Sequence, residues 1–132
     1  MAILVDTNVI LDVVTNDPKW ADWAIKSLEA HEDLELTINP AIYAELCFGY
    51  QSAEQVDDLI KRFGFRYEEI PREGLHRAAH AFRKYKQRGG TKTFVLPDFF
   101  IGGHAEAAKH RLITRDVTRY ESYFPKLSLI SP

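Results

Sequence analysis

The sequence predicts an α/β fold, a three-layer sandwich with a short, mainly parallel central sheet flanked by helices. Three observations carry this prediction. Short apolar runs such as Ala2–Val5 and Leu34–Ile38 alternate with longer segments that suit helices. The first run is apolar at every position, as in a strand covered on both faces. Capping residues stand where helices would begin after these runs, among them Asn39 before Pro40 and Ser52 three residues before Gln55.

Taken in order, Ala2–Asp6 is a buried strand and Thr7–Thr15 continues as a short helix. Asp17 is a helix N-cap with Pro18 in the first turn, and that helix runs to about His31. Leu34–Ile38 is the next strand, and Asn39 caps a helix that starts at Pro40 and runs toward Tyr50. Ser52 and Gln55 form a capping-box pattern opening a helix over Ala53–Phe63. Arg66–Ile70 is a weaker strand, followed by a helix from about Arg72 to Arg88 that Gly89–Gly90 ends. Pro97 starts a helix reaching about His110, and Leu112–Thr114 and Leu127–Ile130 are short strands. No repeat, low-complexity tract or linker divides the 132 residues, so one domain over 1–132 is expected. In such sheets ligands gather beyond the carboxyl ends of the strands, which directs attention to the residues just past each strand.

Composition narrows the function classes. Apolar residues make up 45% and charged residues 27%, ordinary values for a globular domain. No apolar run approaches the roughly 20 residues of a membrane helix. The start of the chain lacks a basic region and Asp6 interrupts its first apolar run, so no signal peptide is expected. Cys47 is the only cysteine, which excludes an internal disulfide and suits a reducing cytoplasm. The net charge of −2 hides an asymmetry: residues 1–60 carry 12 acids against Lys19 and Lys26, and residues 61–132 carry 15 bases against 7 acids. Either the second half meets a polyanionic partner, or the halves neutralise each other within one fold.

Four acids fall at or just past the strand ends. Asp6 closes the first strand, Glu45 lies one to two turns into the helix after Leu34–Ile38, Asp98 lies in the first turn after FVLP, and Asp116 comes just after Leu112–Thr114. Singly, each has a bland explanation: Asp98 can complement a helix N-terminus, Asp116 can be a cap, Glu45 can be solvated. Asp6 is harder to explain so, because it ends an apolar strand where a free charge is costly. One site accounts for all four more economically. Crowded carboxylates cannot all stay ionised without a cation. With five scattered histidines and no zinc spacing, an all-oxygen donor set points to Mg2+ or Mn2+. The chemistry that fits is phosphodiester hydrolysis by in-line attack of a metal-activated water.

DTNVILD, AIYAELCFGY, LPDFFIGGHA and LITRDVTRY, in this order and spacing, resemble the motifs of a PIN domain, and more closely those of VapC-type toxin ribonucleases. The resemblance runs from Ile3 to about Phe124. It implies a PIN-like fold and places the family's acidic quartet on Asp6, Glu45, Asp98 and Asp116, as catalytic and metal-binding residues. It further implies Mg2+- or Mn2+-dependent cleavage of single-stranded or looped RNA, a homodimer, and inhibition by a cognate VapB-type antitoxin whose tail packs near the active site.

Supporting roles are expected for Thr7, Asn8 and Thr114. Thr7 and Asn8 can start the following helix, and in the family this small hydroxyl also orients metal, water or phosphate. Arg83, Lys84, Lys86, Arg88 and Lys92 lie in RKYKQRGGTK, which has five bases and no acid, and with Arg115 they are candidates for RNA phosphates. Gly102 and Gly103 mark a close approach of backbone, ligand or helix. His104 and Cys47 read as packed groups, and Asp12, six residues past Asp6, points away from the strand edge. Trp20, Trp23 and Leu28 form a stripe that is either core or partner surface.

Rival readings are an aspartyl-phosphate phosphatase, which wants an acid where Asn8 stands, and a receiver domain, which wants further acids and a late lysine. A housekeeping PIN nuclease for RNA processing and a non-catalytic PIN-like RNA-binding domain are the alternatives within the fold.

Overall fold

The computed structural model describes residues 2–92 and 94–132. The strands are β1 (Ala2–Val5), β2 (Glu35–Ile38), β3 (Arg66–Tyr67), β4 (Arg111–Ile113) and β5 (Leu129–Ile130). The helices are α1 (Thr7–Val14), α2 (Ala21–Ala30), α3 (Pro40–Cys47), α4 (Ala53–Phe63), α5 (Arg72–Gln87), α6 (Leu96–Ala108) and α7 (Thr118–Tyr123). The strands form one sheet ordered β3-β2-β1-β4-β5, and each of these pairings is parallel. The α/β fold class predicted by strand–helix alternation is the one observed.

Every residue of β1 is buried, and Ile3, Leu4 and Val5 have no exposed surface. Burying each such aliphatic side chain stabilises the fold by about 1.5–3 kcal/mol. The chain leaves β1 for β2 on one side, whereas β4 pairs with β1 on the other. This reversal of strand order opens a crevice at the carboxyl ends of β1 and β4. The register pairs Val5 with Ile113, and the Asp6 N–H then donates to the Ile113 carbonyl at 2.9 Å. Asp6 and Thr114 are thereby brought level at that edge.

Several boundaries differ from the sequence expectation. The regular helix near Trp20 starts at Ala21 rather than in the first turn after Asp17. Asp17 caps the preceding turn instead, its Oδ1 accepting from the N–H groups of Lys19 and Trp20 at 2.9 Å. The Ser52 cap is present, with Oγ accepting from Gln55 N–H at 3.3 Å, but the Gln55 side chain accepts from Gln51 N–H rather than from Ser52. Leu127–Ile130 contracts to Leu129–Ile130, and Arg66–Ile70 to Arg66–Tyr67. Helix α7 is not foreseen at all.

The two helix glycines are explained by packing. A Cβ at Gly103 would collide with the Gly74 carbonyl of α5, and one at Gly102 would lie 2.5 Å from the Phe124 ring. Helices α5 and α6 therefore touch through their backbones, which fixes the helix that carries Asp98.

Candidate active site at the carboxyl edge of the sheet

Asp6 is the N-cap of α1 and only 3% exposed. Its Oδ1 accepts from Thr7 N–H at 2.8 Å. Its Oδ2 accepts from the hydroxyls of Thr114 at 2.8 Å and Tyr120 at 3.0 Å, and from the Asn8 amide at 3.3 Å. Burial pushes the carboxyl up to about 6 even against the Thr114 and Tyr120 bonds, and the charge of Glu45 adds to the rise.

Glu45 is carried by α3, whose start is set by Asn39: its Oδ1 accepts from Ile42 N–H at 3.0 Å, with Pro40 in the first turn. The Glu45 Oε1 accepts from the Thr7 hydroxyl at 2.7 Å, so Thr7 joins two acids, through its amide to Asp6 and its hydroxyl to Glu45. Burial holds Glu45 above the usual carboxylate range, partly offset by the Thr7 bond.

Asp98 lies in the first turn of α6 and is pushed up to about 7, first by burial, then by the charges of Asp6 and Glu45. Arg119 offsets part of this, whereas Asp116 adds to it. Asp116 is exposed just beyond β4, and its N–H donates to the Thr114 hydroxyl at 3.1 Å. The four acids chosen from the sequence thus converge, and Thr7, Asn8 and Thr114 stitch their backbone and side chains together. A negatively charged cluster with two carboxyls near neutral pKa is an oxygen-only donor set short of positive charge, and it fits a hard divalent ion.

The basic residues divide. Arg83, Lys84, Lys86, Arg88 and Lys92 are exposed at and just past the carboxyl end of α5. That end is joined to the site by Tyr85, whose ring centroid is 5.6 Å from that of Phe99, the residue after Asp98. Arg115 is committed elsewhere: it donates to the two Asp12 carboxylate oxygens at 2.6 and 3.3 Å and lies over Trp20. Asp12 is buried, so this pair neutralises a charge that would otherwise be costly there.

Two residues at the site went unseen in the sequence. Tyr120 donates to Asp6, and Arg119 Nε stands 3.4 Å from Asp98 Oδ2. Both belong to α7, so neighbouring residues of one short helix meet two different acids.

A second polar cluster lies apart from these acids. Glu68 Oε1 is 2.9 Å from Nε2 of both His104 and His110, and the three donor atoms lie within 4.8 Å of one another. Such spacing could admit a metal ion, but hydrogen bonding gives a different account. Asn39 uses its oxygen to accept from Ile42 N–H, so its amide nitrogen donates to His104 Nδ1 at 3.1 Å. The His104 proton is then on Nε2, aimed at Glu68, where a metal would need a lone pair. Burial keeps His104 below the usual histidine range despite Glu68, favouring the neutral ring. The Glu68–His104–His110 group is a satisfied hydrogen-bond network.

Residues 3–121 match the family model of the PIN domain. Among solved structures, VapBC2 from Rickettsia felis bound to a fragment of its promoter DNA matches with TM-score 0.76 and 19% identity, over 100% of this chain and 99% of that chain. VapBC-1 from nontypeable Haemophilus influenzae matches with TM-score 0.73 and 22% identity, over 99% and 98%. A toxin–antitoxin complex from Klebsiella pneumoniae matches with TM-score 0.68 and 23% identity, over 98% and 97%. At these identities the likeness is one of fold. No curated protein matches the chain by sequence.

Proposed function

From the premise that the chain belongs to the PIN domain family, we propose that it is a metal-dependent endoribonuclease and the toxin of a VapBC-type toxin–antitoxin pair. The observation that carries this reading is the convergence of Asp6, Glu45, Asp98 and Asp116, two of them with carboxyls at about 6 and 7. These four would hold Mg2+ or Mn2+, which when bound polarises a phosphoryl oxygen and lowers the pKa of a coordinated water.

The protein's own groups do the rest. Thr7 orients Glu45, and Thr114 and Tyr120 fix the rotamer of Asp6 by hydrogen bonds at 2.7–3.0 Å. Asn8 bridges Asp6 and Thr114. Arg83, Lys84, Lys86, Arg88 and Lys92 bind phosphates of single-stranded or looped RNA beyond the cleavage point. Arg115 would have to leave Asp12 to join them.

The toxin reading draws on the similar complexes, one of which is described as a toxin–antitoxin complex. It implies a VapB-type antitoxin, a homodimer, a single nuclease domain over 1–132 and action in the cytoplasm. Two observations support partner surfaces: Phe48, three residues past Glu45, is 92% exposed, and Phe94 is 75% exposed. No helix among the described residues is long and apolar enough to cross a membrane.

The test is cleavage of cellular RNA with Mg2+ or Mn2+ by the wild type, Asp6→Ala and Asp98→Ala. Cleavage is expected from the wild type alone and is abolished by EDTA. Equal cleavage by all three, or indifference to EDTA, would sink the metal-nuclease reading. Growth unaffected by expression of the active protein without an antitoxin would sink the toxin role.

A further inference from the structure

Arg119 differs from the other paired arginines. Arg62, Arg66, Arg77 and Arg115 each donate hydrogen bonds to carboxylates. No side-chain hydrogen bond among the described residues involves Arg119, and its Nε is buried without a partner. The nearest carboxylate oxygen, Asp98 Oδ2, is 3.4 Å from Nε, too long for a charge-assisted hydrogen bond. Yet the guanidinium is held in place by two rings, its carbon lying 5.5 Å from the Tyr85 centroid and 5.9 Å from that of Phe99. The side chain is 23% exposed, so the fork is anchored at its base and open beyond it.

An arginine serving only as counterion to Asp98 would turn its donors on that carboxylate. This one keeps them uncommitted at the rim of an acidic site, where an approaching phosphodiester would otherwise meet four carboxylates. A planar fork matches two oxygens of a phosphate, which a lysine ammonium cannot do. We propose that Arg119 is a substrate-contacting residue whose guanidinium binds the non-bridging oxygens of an RNA phosphodiester beside Asp98. This assignment rests on the nuclease reading above and adds to it a specific group for the phosphate.

The test compares the wild type with Arg119→Lys, Arg119→Gln and Arg119→Ala, after thermal melts identify the variants that fold. Three quantities are measured: binding of a fluorescein-labelled single-stranded RNA 20-mer in Ca2+, Mn2+ affinity by calorimetry without RNA, and cleavage of cellular RNA in Mn2+. RNA binding weakens roughly 10- to 100-fold in all three variants, lysine included, the scale of one charge-assisted bidentate contact. KM rises correspondingly. Mn2+ affinity is unchanged or tighter, because a competing cation beside Asp98 has been removed, and added guanidinium chloride partly restores cleavage by Arg119→Ala where equal NaCl does not. A lysine variant indistinguishable from wild type overturns the assignment alone, as does Mn2+ affinity falling in step with RNA binding. A wild type that cleaves no RNA overturns the nuclease reading and the assignment with it.

Discussion

Two clusters of partly buried ionisable groups stand in this fold, and they are built on opposite principles. In the Glu68–His104–His110 cluster, burial acts to raise the Glu68 carboxyl, but the bonds from His110 and His104 outweigh it and hold it below the usual range. Charge and hydrogen bonds close on themselves there. At the strand edge the sum goes the other way: burial and mutual repulsion win, and Asp6 and Asp98 rise to about 6 and 7. A satisfied cluster supports the fold; a frustrated one stores an affinity for something positive. That difference, rather than closeness alone, separates the candidate site from the second group.

The two clusters should part most widely when Asp98 is changed. Replacement by Asn should lower RNA cleavage roughly 100-fold or more, the scale of removing one preorganised charge-stabilising group. In EDTA at pH 8 the same variant should melt higher than wild type, because a repelled charge is gone. A lower melting temperature would mean that the acids are not in conflict. Substitution in the second cluster should do the reverse. His104→Ala removes a fully buried ring, strips the Asn39 amide nitrogen of its partner and leaves Glu68 with His110 alone, so it should destabilise the protein by about 2–4 kcal/mol. Cleavage per folded molecule should stay near wild type, measured at a temperature where calorimetry shows the variant folded.

The pH dependence of stability separates the clusters by sign. Asp6 and Asp98 bind protons more tightly folded than unfolded, so their contribution is fully present below about pH 4 and is lost as pH rises through about 6 to 7. His104, lowered by burial, contributes above its unfolded value near 6.5 and loses that contribution as pH falls. With Asp6, Asp98 and Glu45 raised against one lowered imidazole, the melting temperature in EDTA should fall from pH 5 to pH 8, and millimolar Mg2+ should reverse the trend. In a protein carrying Asp6→Asn and Asp98→Asn, the melting temperature should instead rise over that range. A flat wild-type profile in EDTA would count against the repulsion described here. The smallest effect concerns the exposed bases: Lys84→Ala with Lys86→Ala should reduce the slope of log affinity for single-stranded RNA against log salt by roughly 0.7 for each phosphate no longer neutralised. An unchanged slope would remove these lysines from the RNA path.

Much of the strand-edge site was legible because its logic is local. Asp6 and Asp116 come just past the parallel strands β1 and β4, whose carboxyl ends share one edge, whereas Glu45 rides one to two turns into the helix after β2 and Asp98 opens α6. What escaped was non-local or short. Helix α7 has six residues, and its N-cap, Val117, makes no side-chain capping bond, so neither period nor cap marked it. Arg119 and Tyr120 were lost with it. The second cluster draws on residues 36 and 42 positions apart, a closeness only the fold creates. Asp12 could be set aside from its helix position, but its pairing with Arg115, 103 residues away, could not be read from sequence.

The four donors on Asp6 are shared unevenly between its two oxygens. Thr114, Tyr120 and Asn8 all point at Oδ2, more than its two lone pairs can serve, whereas Oδ1 accepts only from Thr7 N–H. A cation arriving at the cluster would therefore find one open seat, on Oδ1, while Oδ2 stays with the hydroxyls that hold the carboxylate still. The Asn8 amide, at 3.3 Å, has the weakest hold on Oδ2. Entry through Oδ1 would leave the Thr114 and Tyr120 bonds intact, so the Thr7 amide should be the first signal to move in an NMR titration.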